Sequence, residues 1–237
     1  MATGQENLSS RRIATIVGTL FIIGTAAGVA SGLVTAPILG ESGGIAEMAA
    51  HENRIVLGAL LVLVMGFPLA MMPAVLYPLF QKRFEILGIG AIVFRGVLEA
   101  VTYILLVLLQ LALLPIGRAY VGASAAEMVV LDHMVDLVQQ ASYWTEHILA
   151  IVFTLGAMMI YWMFHRLRLL PPWLALWGLI GAVLYFIAPI GNAFNPERLP
   201  LSLGIGWGWL MIPLALQEMV LAVWLIVKGF RSPQPGA

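Results

Sequence analysis

The chain has 237 residues, 61 % of them hydrophobic and only 10 % charged, with a formal net charge of zero. A soluble domain carries roughly 25 % charged residues, so this chain cannot cover a water-facing surface and reads as an integral membrane protein of one domain, 1–237. Zero net charge gives no footing for nucleic acid, and the absence of cysteine excludes disulfides, thiolate metal sites, iron–sulfur clusters and cysteine nucleophiles.

A membrane span needs about 20 apolar residues. Six segments qualify, at about 13–36, 55–80, 86–114, 141–164, 173–191 and 207–227. The expected fold class is therefore all-α, a polytopic bundle of six transmembrane helices. The first segment follows Arg11 and Arg12, as a signal peptide would. Its apolar run of about 24 residues exceeds an h-region of roughly 7–15, so we read it as a retained span. Gly24, Gly28 and Gly32 form a small-xxx-small ladder in it. Packing within the bundle is the simpler reading of that ladder and a dimer seam the alternative, which leaves the oligomeric state open.

The second span holds "GFPLAMMPAVLYP", whose prolines remove backbone donors and are expected to kink it. The short inner loop "QKRFE" leads to the third span. Pro171–Pro172 ends the fourth helix and starts the fifth. Trp207 and Trp209 open the sixth and, like Trp144, Trp162, Trp173 and Trp177, are placed as interfacial anchors. The tail 231–237, "RSPQPGA", reads as flexible. No internal repeat is visible, which speaks against an inverted-repeat transporter.

With six spans both termini share one side. That side collects Arg11, Arg12, Lys82, Arg83, Arg166, Arg168, Lys228 and Arg231, against Arg54, Arg118 and Arg198 on the other. Eight against three puts both termini in the cytoplasm. The outer loops carry Glu41, Glu47, Glu52, Glu127, Asp132, Asp136 and Glu197, an acidic face.

The third outer connection does not look like a loop. "SAAEMVVLDHMVDLVQQASYWTEHILAIVFTLGAMMIYWMF" has no proline and one glycine, and predicts one helix of about 40 residues extended on the outer side. At 100° per residue, Asp132, His133, Asp136, Gln139, Gln140, Tyr143, Glu146 and His147 fall within an arc of about 140°. Thr154 falls on the centre of that arc, inside the membrane. For 132–140 a solvated amphipathic face is the simpler reading. Glu146 and His147 lie about 8–10 Å from the midplane, where an ionisable residue usually faces a bundle interior or a water-filled cavity. Asp136, Gln139, Tyr143, Glu146 and His147 are thus candidates for one wall of an outward vestibule. His51, His133 and His147 are the candidate metal ligands on this side, but no two histidines have i,i+4 spacing and HExxH is absent, so no metal is expected.

Span three holds "FRGVLEAVTYILLVLLQ", residues 94–110. Arg95, Glu99, Thr102, Tyr103 and Gln110 fall within about 100° of one another, so this face must point inward. Span midpoints near 100 and 217 put Glu99 and Glu218 at the same central depth, with Arg95 about one turn toward the cytoplasm. A lone charge at that depth costs about 2.5–3.5 kcal/mol on insertion scales. Arg95 is therefore expected to bond Glu99 on its own helix and Glu218 across the bundle, since its planar fork serves two carboxylates. One arginine against two glutamates leaves one negative charge, to be balanced by a proton or a cation. A structural clasp would show the same pattern.

Three runs carry a resemblance: "SSRRIATIVGTLFIIG", "RLRLLPPWLALWGLIGAVLYF" and "PLALQEMVLAVWLIVKGF". In the last, Glu218, Trp224, Lys228, Gly229 and Phe230 match the closing pattern of a bacterial family of six-helix membrane proteins (domain of unknown function 4386), which the chain resembles over essentially its whole length. The resemblance implies a six-helix bundle and a bacterial inner membrane, and no activity.

No nucleophile elbow, P-loop or dinucleotide fingerprint is present, and no cofactor is expected. Three functional readings follow. The first is small-solute or proton-linked transport or sensing, with a vestibule leading toward Arg95, Glu99 and Glu218; its partners are the lipid bilayer and a small solute or proton. The second is a structural or partner-binding membrane protein. The third is an intramembrane metal-dependent hydrolase built on Glu146, His147 and an outer histidine.

Overall fold

A computed structural model describes residues 2–39, 45–194, 201 and 206–231. Among these residues every regular element is helical. In chain order they are α1 (Ala2–Leu39), α2 (Ile45–Ala50), α3 (Glu52–Ala91), a π-helical segment (Ile92–Leu98), α4 (Glu99–Tyr120), α5 (Ala125–Arg166), α6 (Pro172–Ala193), a 3-10 turn (Gly206–Met211) and α7 (Ile212–Val227). Glu41, Glu197, Arg198 and residues 232–237 of the tail lie outside the described residues.

Five described stretches are long and apolar enough to cross a bilayer: Ser10–Ile38, Glu52–Tyr120, Ala125–Arg166, Pro172–Ala193 and Gly206–Val227. Their outer faces stay apolar where no neighbour covers them. Leu33, Ile86, Leu108, Ile180 and Val223 are all more than half exposed. Hydrocarbon accepts such a belt and water does not. The chain is a multi-pass membrane protein.

The second stretch runs for 69 residues. Straight, it would be about 100 Å long, against a hydrocarbon core of about 30 Å. It folds back instead. Gln110 Nε2 donates to Ile55 O at 3.1 Å, the Tyr103 ring fills the space beside Gly66, and Gly96 lies against Ala70 O. This is the antiparallel pairing of a hairpin whose bend lies at Phe84, where φ −135° and ψ 47° leave the helical region. The expected loop "QKRFE" is thus helical almost throughout, with the turn confined to one residue. The backbone does not leave the helical region at Pro68, Pro73 or Pro78, where a kink was expected; the one break inside α3 is at Phe84.

Helix α5 has 42 residues, about 63 Å at 1.5 Å per residue, and so extends well beyond any span. Its start is set by a capping box. Ser124 Oγ accepts from the Glu127 amide, and Glu127 Oε2 accepts from the Ser124 amide at 2.8 Å. Helix α1 approaches α3 through its glycines: Gly24 sits against Leu69 and Gly28 against Met65, while Gly32 faces open space. Two of the three ladder positions are therefore used within the chain.

Both ends of the bundle are tied. At one end Arg11 donates to the carbonyls of Ile226 and Val227, at 2.8 and 3.1 Å, placing a cation on the C-terminal carbonyls of α7. The larger core sits on this side, around Phe80, Phe164, Leu170 and Leu225. At the other end Ile38, Met48, Ile55, Leu114 and Val135 form a smaller core. There Arg118 makes a bidentate pair with Glu52, at 2.5 and 2.6 Å. The Arg118 hydrogen bond holds the Glu52 carboxyl below its ordinary 4.5. A group with a lowered folded-state value adds stability above its unfolded value and loses it on acidification. This tie is therefore expected to hold above about pH 4.5 and to weaken below it, an effect that Arg118→Gln removes from the acid limb of a melting-temperature profile.

Candidate functional site

The charged cluster is built where three helices come close. The π-helical segment widens the turn that carries Arg95, and the Glu99 amide reaches back five residues to Phe94 O. Such turns are rare and concentrate at functional sites. Glycines let the neighbours approach: Gly156 of α5 lies against the Arg95 backbone, where an added Cβ would sit 2.6 Å from Arg95 Cβ. Arg95 Nη1 donates to Glu99 Oε1 and Oε2 at 3.2 and 3.1 Å, and Nη2 donates to Glu218 Oε1 at 3.1 Å. The guanidinium carbon lies 4.0 Å from the centroid of the Phe153 ring, a cation–π contact. Arg95 is 1 % exposed and Glu99 0 %. Both expected bonds of Arg95 are present, and α4 is joined to α7 through them.

The polar groups around the cluster divide into neighbours and bystanders. Tyr103, one turn after Glu99, is placed to hydrogen-bond its carboxylate. Thr102 and Thr154 spend their hydroxyls on carbonyls of their own helices. Gln110 clamps α4 to α3. Beside Arg95 is a small cavity lined by Met72, Leu76, Ile160, Tyr161 and Leu221, with room for about one water molecule. The Tyr161 hydroxyl and Gln217 Oε1 are neighbours, yet neither makes a geometrically sound hydrogen bond among the described residues. Gln217 Nε2 is bound to Leu174 O.

The stripe on α5 becomes more buried along its length. Asp132, His133, Asp136, Gln139 and Gln140 are exposed, Tyr143 and Glu146 half-buried, and His147 buried. The structure gathers Tyr143 and His147 around Asn192 of α6. The Tyr143 hydroxyl donates to Asn192 O at 3.1 Å, and His147 Nε2 lies 3.0 Å from Asn192 Nδ2. His147 Nδ1 faces Tyr143 O at 2.7 Å. A carbonyl can only accept, so Nδ1 carries the proton and Nε2 accepts from the Asn192 amide. The ring is neutral with both nitrogens used. Glu146 turns elsewhere, within electrostatic reach of Tyr185.

Asp136 and Gln139 stay on the exposed extension. His133 Nδ1 turns to Val129 O of its own helix, and His51 Nδ1 to Glu47 O. Among the described residues no three His, Cys, Asp or Glu side chains converge as a metal set. Among the described residues His51, His133 and His147 thus share no focus.

Asn192, Gln217, Tyr161 and Tyr185 are the polar groups that the sequence reading missed. Asn192 follows directly on a span taken to end at 191. The tyrosines look apolar to a hydropathy window, although a hydroxyl at mid-span is a usable signal.

No curated protein and no solved structure matches the chain. A family model described as "Domain of unknown function (DUF4386)" matches residues 16–229, and that range takes in α3 to α7, the Arg95 cluster and the Tyr143–His147–Asn192 group. The chain belongs to this family of unknown function.

Proposed function

We propose that the chain spans a bacterial inner membrane six times with both termini in the cytoplasm, each arm of the α3–α4 hairpin counting as one span. The eight-against-three distribution of Lys and Arg supports that orientation. We further propose that the Arg95–Glu99–Glu218 cluster is a proton-binding site serving small-solute or proton-linked transport or sensing, reached from outside along the polar face of α5.

One observation carries this reading. A single sealed guanidinium bonds two carboxylates on different helices, and Phe153, not a second cation, covers its face. The cluster is one positive charge short. Hydrocarbon penalises an uncompensated charge by several kcal/mol, so the cluster takes up a proton or a small cation. A site that binds and releases a proton between two helices couples protonation to helix packing.

The test is proton movement into liposomes carrying an internal pH dye, after an imposed pH step. The wild-type protein is expected to conduct or take up protons and Glu218→Gln to abolish the response. An equal response from both overturns the reading.

A specific observation favours a second reading. Arg95 is 1 % exposed and the space beside it holds about one water. On that reading the cluster is a clasp that fixes α4 against α7, and the protein is structural or partner-binding. Wild-type liposomes would then be silent, with the stability losses described below intact.

A further inference from the structure

Helix α5 carries a second stripe that neither the core nor the polar face uses. Val130, Met134, Leu137, Ala141, Trp144 and Ile148 are all exposed, Leu137 at 70 % and Val130 at 60 %. Their spacing alternates four and three residues without a break, the period of a coiled-coil seam. Ile151, Leu155 and Met158, each half-buried, carry it on to the exposed Trp162. At the outer end the seam stops at Glu127, which is held in the capping box with Ser124.

Lipid accounts for the inner part of this stripe but not for the outer part. Asp132 and Asp136 are exposed on the same turns as Val130, Met134 and Leu137, and ionised carboxylates do not face hydrocarbon. That level of α5 therefore stands in water. The side of these turns that packs on the bundle is a third one, where Leu131, Val135 and Val138 join the smaller core. A row of large apolar side chains left in water marks an interaction surface.

We propose that this stripe is the seam of a parallel homodimer, α5 against α5 of a second copy. Copies inserted the same way into one membrane pair about a twofold axis along its normal. The two α5 helices then run parallel, and each seam residue meets the same residue of the other copy. A straight helix drifts about 20° per heptad from such a seam, and a left-handed supercoil of two helices absorbs the drift. Ala141 lies one layer from Trp144 and leaves room for the indole. From Val130 to Trp162 the stripe runs about 48 Å; at about 10 Å wide it covers about 500 Å² per copy. The total of about 1,000 Å² is where specific interfaces begin. Charge allows the pairing. Asp132, Asp136 and Glu146 project from the far side of the helix, and the flanking residues Leu131, His133, Val138 and Gln140 bring no carboxylate to the seam. The pairing is independent of the charge state of the Arg95 cluster.

The chain has no cysteine, so single cysteines report without background. Oxidation in native membranes is expected to link Met134→Cys and Leu137→Cys into dimers, because a parallel seam brings its Cβ atoms within disulfide reach. Gln139→Cys lies at the same level on the opposite side of the helix and is expected to link at least about tenfold less. In lipid nanodiscs the wild-type protein is expected at the mass of two chains. Leu137→Glu is expected to raise the dimer dissociation constant by at least about tenfold, since it removes a buried leucine from each copy. Its helix content by circular dichroism is expected to match wild type, because Leu137 is a surface residue of the single chain. Equal linking of Leu137→Cys and Gln139→Cys, or a wild type at the mass of one chain, overturns the seam. A bimane label on Leu137→Cys that brominated lipid quenches as strongly as one on Ile148→Cys makes lipid the occupant and overturns it as well.

Discussion

Arg95→Met is expected to destabilise the protein by about 3–5 kcal/mol, because it leaves the Glu99 and Glu218 carboxylates buried without their partner. The loss comes from the stranded acids, not from the missing bonds alone. Arg95 is 1 % exposed and Glu99 0 %, so water cannot take over. Replacing all three together (Arg95→Met, Glu99→Met, Glu218→Met) is expected to recover most of the loss, since an apolar set in place of a buried ion cluster is often neutral or stabilising. Thermal unfolding in detergent, read by the monodisperse fraction, distinguishes these. A single variant as stable as wild type would mean that the acids are solvated or neutral without Arg95.

Gly156→Val carries the second largest expected effect. An added Cβ meets Arg95 Cβ at 2.6 Å and Arg95 N at 2.7 Å. The obstructing atoms belong to a backbone turn and cannot swing away. Overpacking of this kind costs typically about 1–3 kcal/mol, and here it also pushes α5 off the π-helical segment that aims Arg95. Gly32→Val is the control, because nothing lies within 4 Å of its added Cβ. It is expected to stay within about 0.5 kcal/mol of wild type. Equal losses in the two variants would point to glycine content and not to the Gly156 contact.

The apolar helices were legible because hydrocarbon permits few alternatives: apolar runs of sufficient length become helices. The partners of Arg95 were legible for a related reason. Residues 95 and 99 share a helix face, Glu218 shares their depth, and a lone charge there must find a partner. What stayed hidden follows from the assumptions of the reading. A fixed 3.6-residue period cannot reveal a π turn, so the widened segment Ile92–Leu98 was invisible. Charged "QKRFE" looked like a loop, yet a hairpin of helices needs only one non-helical residue, Phe84. Hydropathy also ranks Tyr161 and Tyr185 with the core, although each carries a hydroxyl that a buried site must accommodate. His147 was weighed as a metal ligand from residue type alone. Its partner Asn192 arrives from α6, and no periodicity within α5 could show that both ring nitrogens are taken.

The central claim is that the cluster holds one more proton than three ionised side chains would carry. The most direct measurement is the protonated-carboxyl infrared absorption at neutral pH, recorded on wild type and on Glu218→Gln in lipid. A band is expected in wild type, with one component lost in the variant, whose single remaining carboxylate pairs with Arg95. Identical spectra for the two proteins would contradict it, and the balancing charge would then have to be a bound cation or a different group.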